Sequence, residues 1–170
     1  MFAAMVSCSS TDSSDPLASV NKSLHDKHMV KALSGDAEAQ ADVAYDYKVG
    51  SGVGKDIREA EKWYRKAAEQ GNTSAQSSLI IMYGMDGELA GEKPEECYYW
   101  AQKLYHNPNA NDFAKVLSGN FLHRCYDSGY GVEINPEKAA EWKAKYLADY
   151  QRDLRNHLKK STEAGKTASQ

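Results

Sequence analysis

Laid over itself at an offset of 36, the chain meets its own residues in order. Gly35 falls on Gly71, Ala39 on Ala75, Gln40 on Gln76 and Tyr47 on Tyr83. A third copy follows with longer joints: Tyr126, Gly129, Gly131 and Val132 repeat Tyr47, Gly50, Gly52 and Val53. Tryptophans mark the second half of each copy, at Trp63, Trp100 and Trp142. Matched glycines, tyrosines and tryptophans in one order restrict the chain to a stack of small units. None of them is long enough to bury its apolar face alone.

Each unit reads as two helices. In "DIREAEKWYRKAAEQG" the apolar or small positions are Ile57, Ala60, Trp63, Tyr64, Ala67 and Ala68. Steps of three and four set them on one stripe, with Arg58, Glu59, Glu61, Lys62, Arg65 and Lys66 opposite. Asp56 with Glu59 predicts an N-cap and capping box, and Gly71 a C-terminal stop. Asn135-Pro136 predicts a capped start in the third unit, while Lys93-Pro94 in the second lacks a good cap. Val43 and Tyr47, Leu79 and Tyr83, and Leu122 and Tyr126 are pairs four apart that meet on one face of each first helix.

The residues Tyr47, Gly50, Gly52, Val53, Asp56, Ala60, Trp63, Tyr64, Lys66, Ala67, Ala68 and Gly71 resemble the Sel-1-like repeat, a relative of the tetratricopeptide repeat. The third unit keeps Tyr126, Gly129, Gly131, Val132, Ala139 and Trp142. The second is degenerate: Gly87 survives in its joint, and Cys97 replaces the alanine of Ala60 and Ala139. The resemblance implies an all-α fold, an α-α superhelix of about three helix-turn-helix repeats with helical caps. Units are expected at about 35–71, 72–107 and 108–150, within a repeat domain spanning 17–160. Leu17 to Leu33 reads as the second helix of an incomplete unit, because Ala32 aligns with Ala68. Tyr146, Tyr150, Leu154 and Leu158 continue the last helix as a cap, and 161–170 reads as a disordered tail.

The joint "VGSGVGKD" looks at first like a phosphate cradle. The GxxxxGK-S/T loop fails, because Val49 stands at its first position and Asp56 at its last. A dinucleotide fingerprint should follow a strand, and "ADVAYDY" reads as helix. Asp56 would moreover occupy the free N–H groups of the next helix and repel an anion. The glycines are therefore expected to turn the chain at φ > 0, with Val53 tucked under the turn.

Composition closes off other classes. A formal charge of −3 and a pI near 6.0 give no basic footprint for nucleic acid. No apolar run approaches the ~20 residues that span a bilayer. At the start, "MFAAMVSCSSTDSSDP" (1–16) ends a short apolar run in Val6-Ser7-Cys8, similar to the end of a bacterial lipoprotein signal whose cysteine is lipidated. A basic n-region is missing and the apolar stretch is short, so a cytoplasmic protein with an unstructured N-terminus stays open beside an envelope lipoprotein. His25 and His28 share a helical face without a third ligand, and are expected as a surface pair with no metal or cofactor. His123 and Cys125, two apart on a helix, point in different directions and make no catalytic dyad. Cys97 and Cys125 fall on neighbouring helices, either bridged by a disulfide if the protein is exported or left as two buried thiols. The cysteine-rich branch of the family pairs its cysteines within one unit, a pattern this chain lacks.

A repeat stack leaves an extended concave surface that suits a protein or peptide partner. The resemblance implies that first helices line it, making Tyr45, Asp46, Ser77, Ile81, Phe121 and Arg124 the candidate contacts. Some Sel-1-like proteins have been proposed to bind or hydrolyse β-lactams, but no nucleophile with a positioned base is visible in this sequence. The expected function is a non-catalytic scaffold associated with a bacterial envelope, with a β-lactam-binding or -hydrolysing enzyme or a cytoplasmic adaptor or regulator as the alternatives.

Overall fold

The computed structural model describes residues 16–167, with side chains from 17 to 161, so Cys8 lies outside the described residues. Seven helices follow one another: α1 (Pro16–Leu33), α2 (Ala37–Val49), α3 (Ile57–Glu69), α4 (Thr73–Tyr83), α5 (Pro94–Tyr105), α6 (Asp112–Ser128) and α7 (Pro136–Thr167). Each packs on its successor. First helices α2, α4 and α6 alternate with second helices α3, α5 and α7, and α1 stands as a second helix ahead of them. The fold is an α-solenoid of helical repeats.

The helix starts follow from their caps. Asp36, Asp56, Asn72 and Asn111 accept from the backbone N–H groups of Ala39, Arg58 with Glu59, Ala75 and Ala114 at 2.8–3.0 Å. Asn135 does the same for Lys138 at 2.9 Å. Each such cap contributes about 1 kcal/mol. Lys93 offers no side-chain cap, as its residue type dictates, and α5 starts on Pro94 instead. The carboxylate of Glu59 goes to Lys62.

The core forms between helices. Val43, Ala60, Leu79, Ile80, Met82, Tyr83, Leu104 and Leu122 are fully enclosed, and Trp63, Trp100 and Trp142 are buried with them. Burying a Leu or Ile is worth about 2 kcal/mol, so the stack is held by the faces the sequence periodicity marked.

The joint of unit one shows what its glycines do. Gly50 (φ +81°) ends α2 in the left-handed region, and Gly52 (φ +71°) continues the turn. A Cβ on Gly52 would lie 2.2 Å from the Asn21 carbonyl oxygen, and one on Gly131 would lie 2.2 Å from that of Pro94. The second glycine therefore permits the joint to press on the backbone of the preceding second helix. Gly54 meets nothing within 4 Å. Val53 is half-buried. In both joints the backbone closes alike, with Asp56 N–H on the Tyr47 carbonyl and Asn135 N–H on that of Tyr126, each at 2.9 Å.

Unit two departs from this. Its joint, between Tyr83 and Pro94, carries Leu89 as a buried plug, whose N–H bonds the Met82 carbonyl at 2.8 Å. Tyr130 of the third joint holds it from outside, donating to the Tyr83 carbonyl and accepting from the Gly91 N–H, both at 2.8 Å. At the C-terminus α7 continues to Thr167, past the boundary expected at Ser161. The stretch after Leu158 holds no proline, so nothing in it forbids the helix, although Gly165 weakens it.

Candidate binding face

Tyr45, Ile81 and Arg124 occupy one repeat position on α2, α4 and α6. Their helices present them together because α4 packs on α6 as well as on its own partners, whereas α3, α5 and α7 make no comparable contacts with one another. Among the first helices, α4 and α6 thus approach each other directly. Tyr45 is 57% exposed and Ile81 44%. Phe121 is half-buried against Gly84, and the Arg124 guanidinium lies 5.6 Å from its ring centroid. Arg124 also reaches Asp86 at 3.4 Å. Ser77 is half-buried, and its hydroxyl donates to the Thr73 carbonyl at 2.8 Å.

Asp46 does not belong to this face. It is 5% exposed, and its Oδ2 lies 3.0 Å from the Nδ1 atoms of both His25 and His28. The histidines are consequently not a surface pair: His25 is 7% exposed, and its ring meets Tyr47 edge-on with centroids 5.4 Å apart. An acid one residue from an exposed tyrosine points into the helix interface, because neighbouring positions on a helix diverge by about 100°. The helical facing of residue 46 was the available signal, since its repeat equivalents Met82 and Cys125 are residues that pack in cores.

The face also includes residues that spacing did not single out. Glu88 pairs with Lys48 at 3.4 Å, and Asp42 stands half-exposed one turn before Tyr45 and Asp46. Beneath them, burial pushes the Tyr64 phenol up from its ordinary value, against a hydrogen bond from Ser78 that lowers it. The surface therefore alternates aromatic and aliphatic contacts with charges of both signs, an arrangement suited to an amphipathic peptide.

A second cluster lies at the boundary between units one and two. The carboxylate of Glu61 accepts from the Tyr83 hydroxyl and from Lys93 at 3.2 Å. Arg65 donates to the Tyr83 hydroxyl at 2.9 Å and pairs with Glu96, which accepts from the Trp100 indole at 2.9 Å. Burial alone would raise the Glu61 carboxyl, but Tyr83, Lys93 and Arg58 outweigh it and hold it below the usual glutamate range. Tyr83 is pushed up by burial and by that carboxylate. Every partner is a structural group, so the network joins units and leaves no free acid or base.

Cys97 and Cys125 are free thiols, each 1% exposed. The Cys97 thiol is pushed up first by Cys125 and then by burial, and it also contacts the Ile80 carbonyl at 3.8 Å. His123 turns to the Ala139 carbonyl at 3.0 Å and away from catalytic work with Cys125. Among the described residues no group of three His, Cys, Asp or Glu could hold a metal ion, and no helix is long and apolar enough to cross a membrane.

The profile of the Sel1 repeat matches residues 37–72 and 117–142, which are unit one and the joint-bearing part of unit three. A solved Sel1 repeat protein from Oxalobacter formigenes shares 26% identity at a TM-score of 0.59, covering 77% of this chain and 50% of its own. A protective antigen present in uropathogenic Escherichia coli strains, displaying an SLR fold, shares 27% identity over 73% of this chain and 33% of its own, at a TM-score of 0.43. This chain thus spans half the length of the first structure and a third of the second. No curated protein matches it. The unit carrying Tyr47, Gly50, Gly52, Trp63 and Gly71 falls inside the matched segments. Over these segments the chain is similar to the Sel1 repeat, and its helical stack is similar to that of the solved Sel1 repeat protein.

Proposed function

We propose that this protein is a non-catalytic scaffold that holds a protein or peptide partner on the inner face of α2, α4 and α6. We further propose that it works at a bacterial envelope, tethered through a lipidated Cys8. The observation that carries the first part is the row Tyr45, Ile81 and Arg124. One repeat position, on the three first helices, is kept out of the core and holds a tyrosine, an isoleucine and an arginine. Tyrosine and arginine are enriched where interfaces concentrate their binding energy. The envelope reading is supported by the Val6-Ser7-Cys8 segment and by the bacterial source of the solved Sel1 repeat protein.

Affinity capture from envelope extracts tests the face. The intact protein should retain a partner that Tyr45→Ala with Ile81→Ala releases. A partner kept equally by both proteins would place binding elsewhere. Palmitate labelling in cells tests the tether separately: label lost in Cys8→Ser supports it, and absence of label from the unaltered protein rejects it.

A further inference from the structure

Nine of the large apolar side chains left exposed sit on the two terminal helices, and α1 alone has Leu17, Val20, Leu24, Val30 and Leu33, at 46–72% exposure. What should cover α1 depends on its register in the repeat, and two contacts fix that register. The Gln40 amide donates to the Ala32 carbonyl at 3.1 Å as Gln76 donates to that of Ala68 at 3.0 Å. Gly52 presses on Asn21 of α1 as Gly131 presses on Pro94 of α5. Hence α1 is a second helix in which Leu24, Lys27 and Lys31 stand where α3 has Ala60, Trp63 and Ala67.

On α3 those three positions are core, at 0%, 8% and 0% exposure, covered by the first helix of the same unit. On α1 the same stripe runs Leu17, Val20, Leu24, Lys27, Lys31, apolar at one end and cationic at the other, with both lysines exposed. Another repeat helix on this stripe would enclose two ammonium groups in the slots of a tryptophan and an alanine, a cost of several kcal/mol for each charge. The stripe is not built to receive a preceding unit.

We propose that this face of α1 docks on an anionic phospholipid surface. Leu17, Val20 and Leu24 enter the interfacial zone. Lys27 and Lys31 lie on their methylene stems and reach the phosphates. Lys22 adds a third cation, against Asp26 as the helix's single acid, in a chain whose total charge is −3. The inference deepens the envelope reading. Eight peptide steps separate Cys8 from Pro16, a reach of at most about 28 Å, so a tethered chain would hold α1 at the bilayer. The docking does not require the acyl chain, which makes the two separable.

Full-length Cys8→Ser protein, which cannot be acylated, is sedimented with phosphatidylcholine vesicles with and without phosphatidylglycerol. Binding should appear with phosphatidylglycerol and weaken with salt. Lys27→Gln with Lys31→Gln should lower the partition constant about 30-fold, and Leu17→Ser, Val20→Ser and Leu24→Ser together by about tenfold or more. These side chains are exposed, and circular dichroism and the melting curve check that the variants fold. Equal binding to both vesicles overturns the proposal. So does binding that persists in the α1 variants, or that is lost instead in Leu154→Ser with Leu158→Ser on α7. A self-associating species dissolved by Leu24→Ser, with no vesicle binding, would assign the face to a second copy. Loss of palmitate label in cells bears on Cys8 alone, whatever the vesicles show.

Discussion

The boundary between α1 and unit one and the boundary between units one and two are the same contact made with different chemistry. Both have a glutamine donating to the last turn of the preceding second helix, at 3.1 and 3.0 Å. Both also bury a polar side chain beside the repeat tyrosine. At the first boundary it is His25, against Tyr47 and Asp46; at the second it is Glu61, against Tyr83 with Arg65 and Lys93 around it. A third version, Tyr98 with Tyr126, joins two hydroxyls at 2.8 Å. The contact made to backbone recurs, while the side-chain slot beside it changes freely provided its occupant finds a partner. Buried polar groups need such partners, and any pair that satisfies them serves.

Substitutions can break that comparison at graded cost. The largest effect belongs to the backbone contact. Gly52→Ala combines a positive φ with a Cβ driven into the Asn21 carbonyl, and should cost about 3 kcal/mol or more in urea unfolding. Gly54→Ala, in the same joint but in open space, should stay within about 0.5 kcal/mol. Next comes Glu61→Ala, which leaves the Tyr83 hydroxyl and Lys93 without their acceptor and should cost about 2–4 kcal/mol. The pH dependence follows from the same group. Its carboxyl is held below the usual value in the folded state, so its contribution is complete above the unfolded glutamate pKa near 4.3 and is lost as pH falls through the lower folded value. Glu61→Gln should flatten that acid limb of the stability curve. Asp46→Ala should cost about 1–3 kcal/mol, and it should loosen α1 first, seen as faster amide exchange in α1 than in α3. The smallest effect is expected on the inner face: Tyr45→Ala and Ile81→Ala should each move stability by about 0.5 kcal/mol while weakening partner capture.

The same contrast explains what the sequence made legible. Glycines, caps and tryptophans answer to local backbone geometry, so Gly52, Asp56, Asn135 and Trp142 could be placed from spacing alone. The joint that looked like a phosphate cradle proved to be a turn, and its second glycine carries a demand that spacing did not reveal, the close approach to Asn21. Partners across unit boundaries answer to three-dimensional proximity. His25 and His28 read as a surface pair because Asp46, which holds both, is 21 residues from one and 18 from the other. Asp46 read as a face residue because its neighbour Tyr45 is one. The tail read as disordered from its polarity, although polarity does not stop a helix that meets no proline.

In the proposed scaffold, first helices offer their exposed repeat position to a partner and second helices do not. Site-specific photocrosslinking tests it most directly, with a photoreactive phenylalanine placed at Ile81 on α4 or at Lys62 on α3, where Lys62 is also exposed. In envelope extracts the first protein should give a discrete adduct that excess unlabelled protein competes away, and the second should give none. An adduct from position 62 and none from position 81 would contradict the assignment of the binding face.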